Sequence, residues 1–163
     1  MTQKWSEHTF ILPETTHGQF YLIDDESAPD TSNIWNDEAF RTRLAITDGC
    51  VAISTLQYIA EIEVALVVGR SCTEADLAGW DHVAACSLEV RSSRLRIEPC
   101  LPMSDEEIHM LPLEPGCYRL CVLCEWFDIM DIDEFDPKRE RYKVFLWRAD
   151  YQPVELIKHQ GMR

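Results

Sequence analysis

The sequence predicts an all-β protein, an antiparallel two-sheet β-sandwich of jelly-roll type with one or two short helical turns. Three observations lead there. About nine short stretches of strand-forming residues recur at near-even spacing, with turn chemistry between them. Helical periodicity sustained over roughly ten or more residues, which an α/β fold would need between its strands, is missing. The third is Leu111 to Trp126, which reads as a turn followed by a strand. Pro115-Gly116 is a strong turn signal, because proline presets one backbone angle and glycine accepts the positive one a tight turn needs. Beyond it Tyr118, Leu120, Val122, Cys124 and Trp126 share an apolar face, and Cys117, Arg119, Cys121, Leu123 and Glu125 a mixed one. That pattern marks a central strand.

The remaining elements follow in order. Thr9 to Leu12, closed by Pro13, is a short first strand, and Gly18 to Asp24 a second. Asp25 to Asn33 is a loop by composition. Asn36 can cap a short helix over Asp37 to Arg43, since its side chain accepts a free amide and two acids follow in the first turn. After the break at Asp48-Gly49, Cys50 to Leu56 and Ala60 to Val68 read as strands joined by a short connection compatible with a hairpin. Gly69 to Gly79 is polar, with a helical turn at Thr73 to Asp76. Further strands are expected at Trp80 to Val90, Arg94 to Glu98, Ile108 to Leu113, Arg141 to Trp147 and Val154 to Lys158. No internal repeat is present, and all 163 residues are read as a single sandwich domain.

The compositional outlier is charge: 15 Lys plus Arg against 29 Asp plus Glu, a formal net charge of −14. A field of that sign repels phosphate backbones, so nucleic-acid binding through a basic footprint is disfavoured. Basic proteins and cations are what it attracts, and it also keeps a soluble protein from self-association. No run approaches the ~20 apolar residues needed to span a bilayer. The first residues lack the basic-then-apolar pattern of a signal peptide, so a cytoplasmic protein with reduced thiols is expected. Cys121 and Cys124 have the gap of a zinc knuckle, but positions three apart on a strand face opposite ways, and no second pair follows at finger-like spacing. Buried, inert thiols are the better reading.

Catalytic motifs are absent. The chain has no glycine-rich phosphate loop, nucleophile elbow or His-Glu-x-x-His helix, and His8, His17, His82, His109 and His159 are scattered. His82 could meet a cysteine for nucleophilic work, but seven cysteines offer such pairs by chance. No enzyme activity, cofactor or metal is expected. The densest acidic stretch runs from Asp128 to Asp136. Calcium wants six to eight oxygens there, yet the glycine turn and terminal bidentate glutamate of a helix-loop-helix calcium loop are lacking. A solvated loop folding back on the sandwich is the plain alternative. Apolar residues interleaved among the acids also fit contact with a basic protein surface, through Asp128, Met130, Asp131, Asp133, Glu134, Phe135 and Asp136. Trp35, Asp37 and Glu38 form a second candidate contact.

Four patches, His17 to Leu22, Ile34 to Ala39, Asp48 to Ser54 and Leu111 to Leu120, together resemble the bacterial competence family of ComJ, inhibitors of a DNA-entry nuclease. As short patches in order and spacing, they span about two thirds of the chain. The chain departs from that family by being longer, with the acidic stretch and a C-terminal strand from Glu140 to Trp147. The resemblance implies a β-sandwich that is not an enzyme, an inhibitor or immunity-type protein blocking a basic nuclease or toxin. The alternatives are a metal- or small-molecule-binding sandwich, or an oligomeric assembly module with no enzyme target.

Overall fold

The computed structural model describes residues 4–126 and 139–159. Among them are eleven strands: β1 (Ser6–Thr15), β2 (Gln19–Asp24), β3 (Leu44–Thr47), β4 (Cys50–Ser54), β5 (Ala60–Val68), β6 (His82–Val90), β7 (Arg94–Pro99), β8 (His109–Pro112), β9 (Gly116–Cys124), β10 (Glu140–Arg148) and β11 (Glu155–His159). Two short helices accompany them, α1 (Asp37–Thr42) and α2 (Glu74–Leu77), with a 3-10 turn at Asp105–Glu107. The strands form a six-stranded sheet in the order β1-β5-β10-β9-β6-β11 and a five-stranded sheet in the order β3-β4-β2-β7-β8. The all-β two-sheet expectation holds, with one correction to its antiparallel character. β10 lies between β9 and β5 and runs parallel to β5, with Glu140 opposite Ile62 and Leu146 opposite Val68.

The central strand is β9, hydrogen-bonded to β10 on one side and β6 on the other. Its apolar face meets the opposing sheet: Tyr118, Leu120, Val122 and Cys124, with Trp126 past its end, pack with Phe20, Leu22, Val51 and Ile53. Burying each large aliphatic or phenyl side chain there contributes about 1.5–3 kcal/mol. The other face is covered too, with Cys121 and Leu123 under Leu77 and Trp80. Strands covered on both faces keep apolar residues on both, which is why Leu123 and Cys121 break a simple alternation. Arg119, 4% exposed, donates to the carbonyls of Gln152 (2.8 Å) and Pro153 (3.0 Å), fastening the lead into β11.

Two local readings meet the structure closely. Asn36 caps α1, its Oδ1 accepting from the Ala39 amide at 2.9 Å, and the helix stops at Arg43 with φ +64°. Thr73 and Asp76 form a reciprocal cap on α2. The strand β3, wedged between α1 and the Gly49 turn, has no counterpart in the sequence reading.

The larger difference concerns Cys50 to Val68. These residues are not a hairpin: β4 belongs to the five-stranded sheet and β5 to the six-stranded one, so residues 55–59 cross the sandwich. Residues 16–18 cross beside them from β1 to β2. The pairing of Thr15 with Ala60 and of Gln19 with Ser54 stacks the two crossings. They bond directly, Thr55 N–H to the Gly18 carbonyl at 2.8 Å and Gly18 N–H to the Tyr58 carbonyl at 2.9 Å. Gly18 sits at φ +66°, where a side chain would add strain.

Candidate functional site

The stacked crossings open a groove of about 470 Å³ at one end of the sandwich. Aromatic rings line it. The Trp35 indole N–H donates to Gln19 Oε1 at 2.8 Å, and its ring lies 5.6 Å from that of Phe40. His17 lies 5.4 Å from Tyr58. Phe40 is 67% and Tyr58 65% exposed, and Ile59 beside them is exposed as well. The β7–β8 connection adds Leu101 and Met103, both exposed, and is tied in by Thr16 Oγ1 donating to the Cys100 carbonyl at 3.0 Å. Single exposed apolar residues need no explanation, but here several gather on one end of the sandwich. Acids share that end: Asp37 and Glu38 in the first turn of α1, and Asp105 and Glu106 in the 3-10 turn, are all exposed. Glu38 pairs with Arg41 at 2.6 Å across open solvent, a contact that adds little stability.

Beneath the groove is a buried polar network. Glu140, fully buried, accepts from the amides of Leu56 (2.8 Å) and Gln57 (2.9 Å), from Gln57 Nε2 (3.1 Å), and from the Tyr142 hydroxyl. Burial first, then the neighbouring Glu140 charge, raises the Tyr142 phenol well above its ordinary range, so it stays a donor. Arg43 donates to the Ser54 carbonyl (3.3 Å), Ser54 Oγ (3.1 Å) and the Thr55 carbonyl (2.8 Å). Its guanidinium carbon lies 4.9 Å from the centre of the Trp126 ring. Trp126 N–H in turn donates to Asp81 Oδ2 at 2.7 Å.

His82 completes this end. It is 1% exposed; its Nε2–H donates to the Thr42 carbonyl (2.9 Å), which leaves Nδ1 to accept from His159 Nδ1–H at 3.1 Å. Burial, and then the nearby Arg43 and His159, lower its pKa below the ordinary 6.5. The unfolded chain therefore binds the proton more readily than the folded one. Stability is expected to fall as pH drops through about 6.5, by up to about 1.4 kcal/mol per pH unit, until folded His82 itself protonates. Urea midpoints between pH 7.5 and 5 check this: the slope should vanish in His82→Leu, and a slope retained in that variant refutes the assignment.

The same burial removes thiol chemistry from the neighbourhood of His82. Cys124, paired in register with His82, is 1% exposed and pushed up to about 12 by desolvation, so a thiolate does not form beside the imidazole near neutrality. Cys50 and Cys86 are likewise pushed up to about 12. At the opposite end a second hollow of about 450 Å³ is lined by Asp24, Glu26, Asp30, Asp48 and Arg91. Burial alone would raise the Asp24 carboxyl, but hydrogen bonds from Ser92 and Arg91 hold it below the usual range. Among the described residues no group of three or more His, Cys, Asp or Glu side chains could hold a metal ion, and no helix is long and apolar enough to cross a membrane.

Of the sequence-derived contact residues, Trp35 lines the groove, and Asp37 and Glu38 stand on the adjoining turn of α1. Asp128, Met130, Asp131, Asp133, Glu134, Phe135 and Asp136 lie outside the described residues. The structure adds Phe40 and Tyr58. Their signal was faint: an aromatic beside the inward-facing Ala39, and an aromatic-aliphatic pair within a turn.

No family model and no curated relative matches this chain. Two solved structures share its architecture. The crystal structure of ComJ from Bacillus subtilis, described as an inhibitor of the DNA degrading activity of NucA, superposes with a TM-score of 0.65 at 16% identity, covering 90% of this chain and 96% of that one. A structure described as crocagin biosynthetic gene J superposes at 0.60 with 17% identity, covering 90% and 99%. At such identities the likeness establishes the fold, and the fold of this chain is that of ComJ.

Proposed function

We propose that this chain is an acidic, non-enzymatic protein-binding module, an inhibitor or immunity-type protein that blocks a basic nuclease or toxin. The observation that carries the reading is the fold shared with a nuclease inhibitor over nearly the whole of both chains. The formal charge of −14 supports it. A nuclease holds phosphates in a cationic cleft, so an acidic protein is steered into that cleft and excludes the substrate. In this reading the carboxylates of Asp128, Asp131, Asp133, Glu134 and Asp136 supply attraction, while Met130 and Phe135 supply apolar contact. Trp35, Asp37 and Glu38 extend the surface. The protein works in the cytoplasm and needs no cofactor.

The test is capture from its own cell extract at low salt, followed by assay of the recovered protein for DNA degradation or toxicity. The purified chain should abolish that activity at about one equivalent. Raising ionic strength from about 0.05 to 0.5 M should slow association by roughly tenfold or more. Recovery of no basic protein at low salt, or a recovered nuclease that stays active when saturated with the chain, overturns the proposal.

A further inference from the structure

We infer that the groove between the two crossings is a socket for an arginine side chain presented by the basic partner. The inference rests on the inhibitor reading for its partner but not for its chemistry. The rings of Trp35, Phe40, His17 and Tyr58 line one concavity, and Phe40 and Tyr58 are about two-thirds exposed. A guanidinium is planar and weakly hydrated, so it stacks on aromatic faces while its methylene stem lies along apolar surface. This chain uses that pairing repeatedly within itself. Arg43 lies over Trp126 (4.9 Å), Arg70 over Phe145 (4.8 Å) and Trp5 (4.9 Å), Arg141 over Trp80 (5.6 Å) and Arg148 over Tyr118 (5.7 Å). Among the described residues no cation lies over Trp35, Phe40 or Tyr58.

Charge selects an arginine over a leucine or phenylalanine as occupant. Arg43, which reaches the groove-lining Ser54 and Thr55, is committed to their carbonyls and to the Trp126 ring, with the buried Glu140 carboxylate accepting on the same Ser54–Gln57 turn. In the first turn of α1, between the groove-lining Trp35 and Phe40 in sequence, Asp37 is exposed and has no ion-pair partner among the described residues. An arriving cation therefore meets open rings and an open carboxylate, within a field already negative over the whole chain.

The experiment titrates the isotope-labelled protein with the peptide acetyl-Gly-Arg-Gly-amide and with its citrulline and leucine analogues, read by amide and indole chemical shifts. Citrulline keeps the shape of arginine and removes its charge. The arginine peptide should shift the Trp35 indole and the backbone of Gly18 and Tyr58, with citrulline and leucine weaker by about tenfold or more. Phe40→Ala with Tyr58→Ala, two exposed positions whose loss leaves the folded spectrum intact, should weaken arginine binding by about tenfold or more. No arginine binding, shifts confined to other surfaces, or equal binding of the citrulline or leucine peptide overturns the socket. The two proposals separate cleanly. A basic protein captured as well by the double variant as by the wild type ends the socket and leaves the inhibitor reading standing. An arginine peptide seated in the groove with no basic protein recovered from extract does the reverse.

Discussion

Glu140→Ala is expected to destabilise the protein by about 3–5 kcal/mol, the usual consequence of removing one member of a buried charged network. The carboxylate is fully buried and accepts from two backbone amides, Leu56 and Gln57, that belong to a crossing rather than to a ladder. With alanine in its place those amides lose their acceptor, at about 1–3 kcal/mol for each buried orphan donor. The Tyr142 hydroxyl and Gln57 Nε2 lose the same acceptor. Urea unfolding followed by far-ultraviolet circular dichroism should show a lower midpoint with unchanged slope. Thermal unfolding should move down by about 6–20 °C, at about 2–4 °C per kcal/mol for a chain of this size. Glu140→Gln keeps one acceptor oxygen but turns an amide NH₂ toward a backbone donor, so its loss should be intermediate. A loss under about 1 kcal/mol in Glu140→Ala would show that the crossing at 55–59 is held by other contacts.

What the sequence disclosed and what it concealed divide along the reach of the interactions. The central strand was legible because every second residue from Tyr118 to Cys124 is apolar behind the Pro115-Gly116 turn, and α1 because Asn36 and Ala39 are three residues apart. Sheet membership was not. A short connection between Ser54 and Ala60 serves a hairpin or a crossing equally well, and the choice is made by the pairing of β5 with β1 and β10. The groove was half legible. Trp35, Asp37 and Glu38 stood out as an aromatic with two acids. Phe40 and Tyr58 required knowing that Ala39 and Thr42 face inward and that 55–59 runs across the end. Glu140 was hidden for the same reason: between Arg139 and Arg141 it reads as a surface acid, and the amide that buries it is 84 residues away in sequence.

Trp126→Ala is expected to cost about 3–5 kcal/mol, the range for truncating a buried aromatic. The side chain is 8% exposed and is packed on several sides: Arg43 lies over its ring, the His82 ring is at 5.4 Å and the His159 ring at 6.4 Å. Arg43 depends on it electrostatically, because Arg43 Nε is buried with no hydrogen-bond partner among the described residues and the ring face is the polarisable surface it meets. A double-mutant cycle with Arg43→Gly, chosen because Arg43 sits at φ +64° where glycine is unstrained, should return a coupling of about 0.5–2 kcal/mol. Trp126→Phe, which keeps a ring face, should retain most of that coupling and lose less stability than alanine. A coupling near zero would place the whole hold on Arg43 in the Ser54 and Thr55 carbonyls. The distinction bears on the groove, because those carbonyls belong to the crossing that carries Tyr58. If Trp126 fixes Arg43, and Arg43 fixes Ser54 and Thr55, then Trp126→Ala should weaken arginine-peptide binding even under conditions where the variant remains folded, while Trp126→Phe should not.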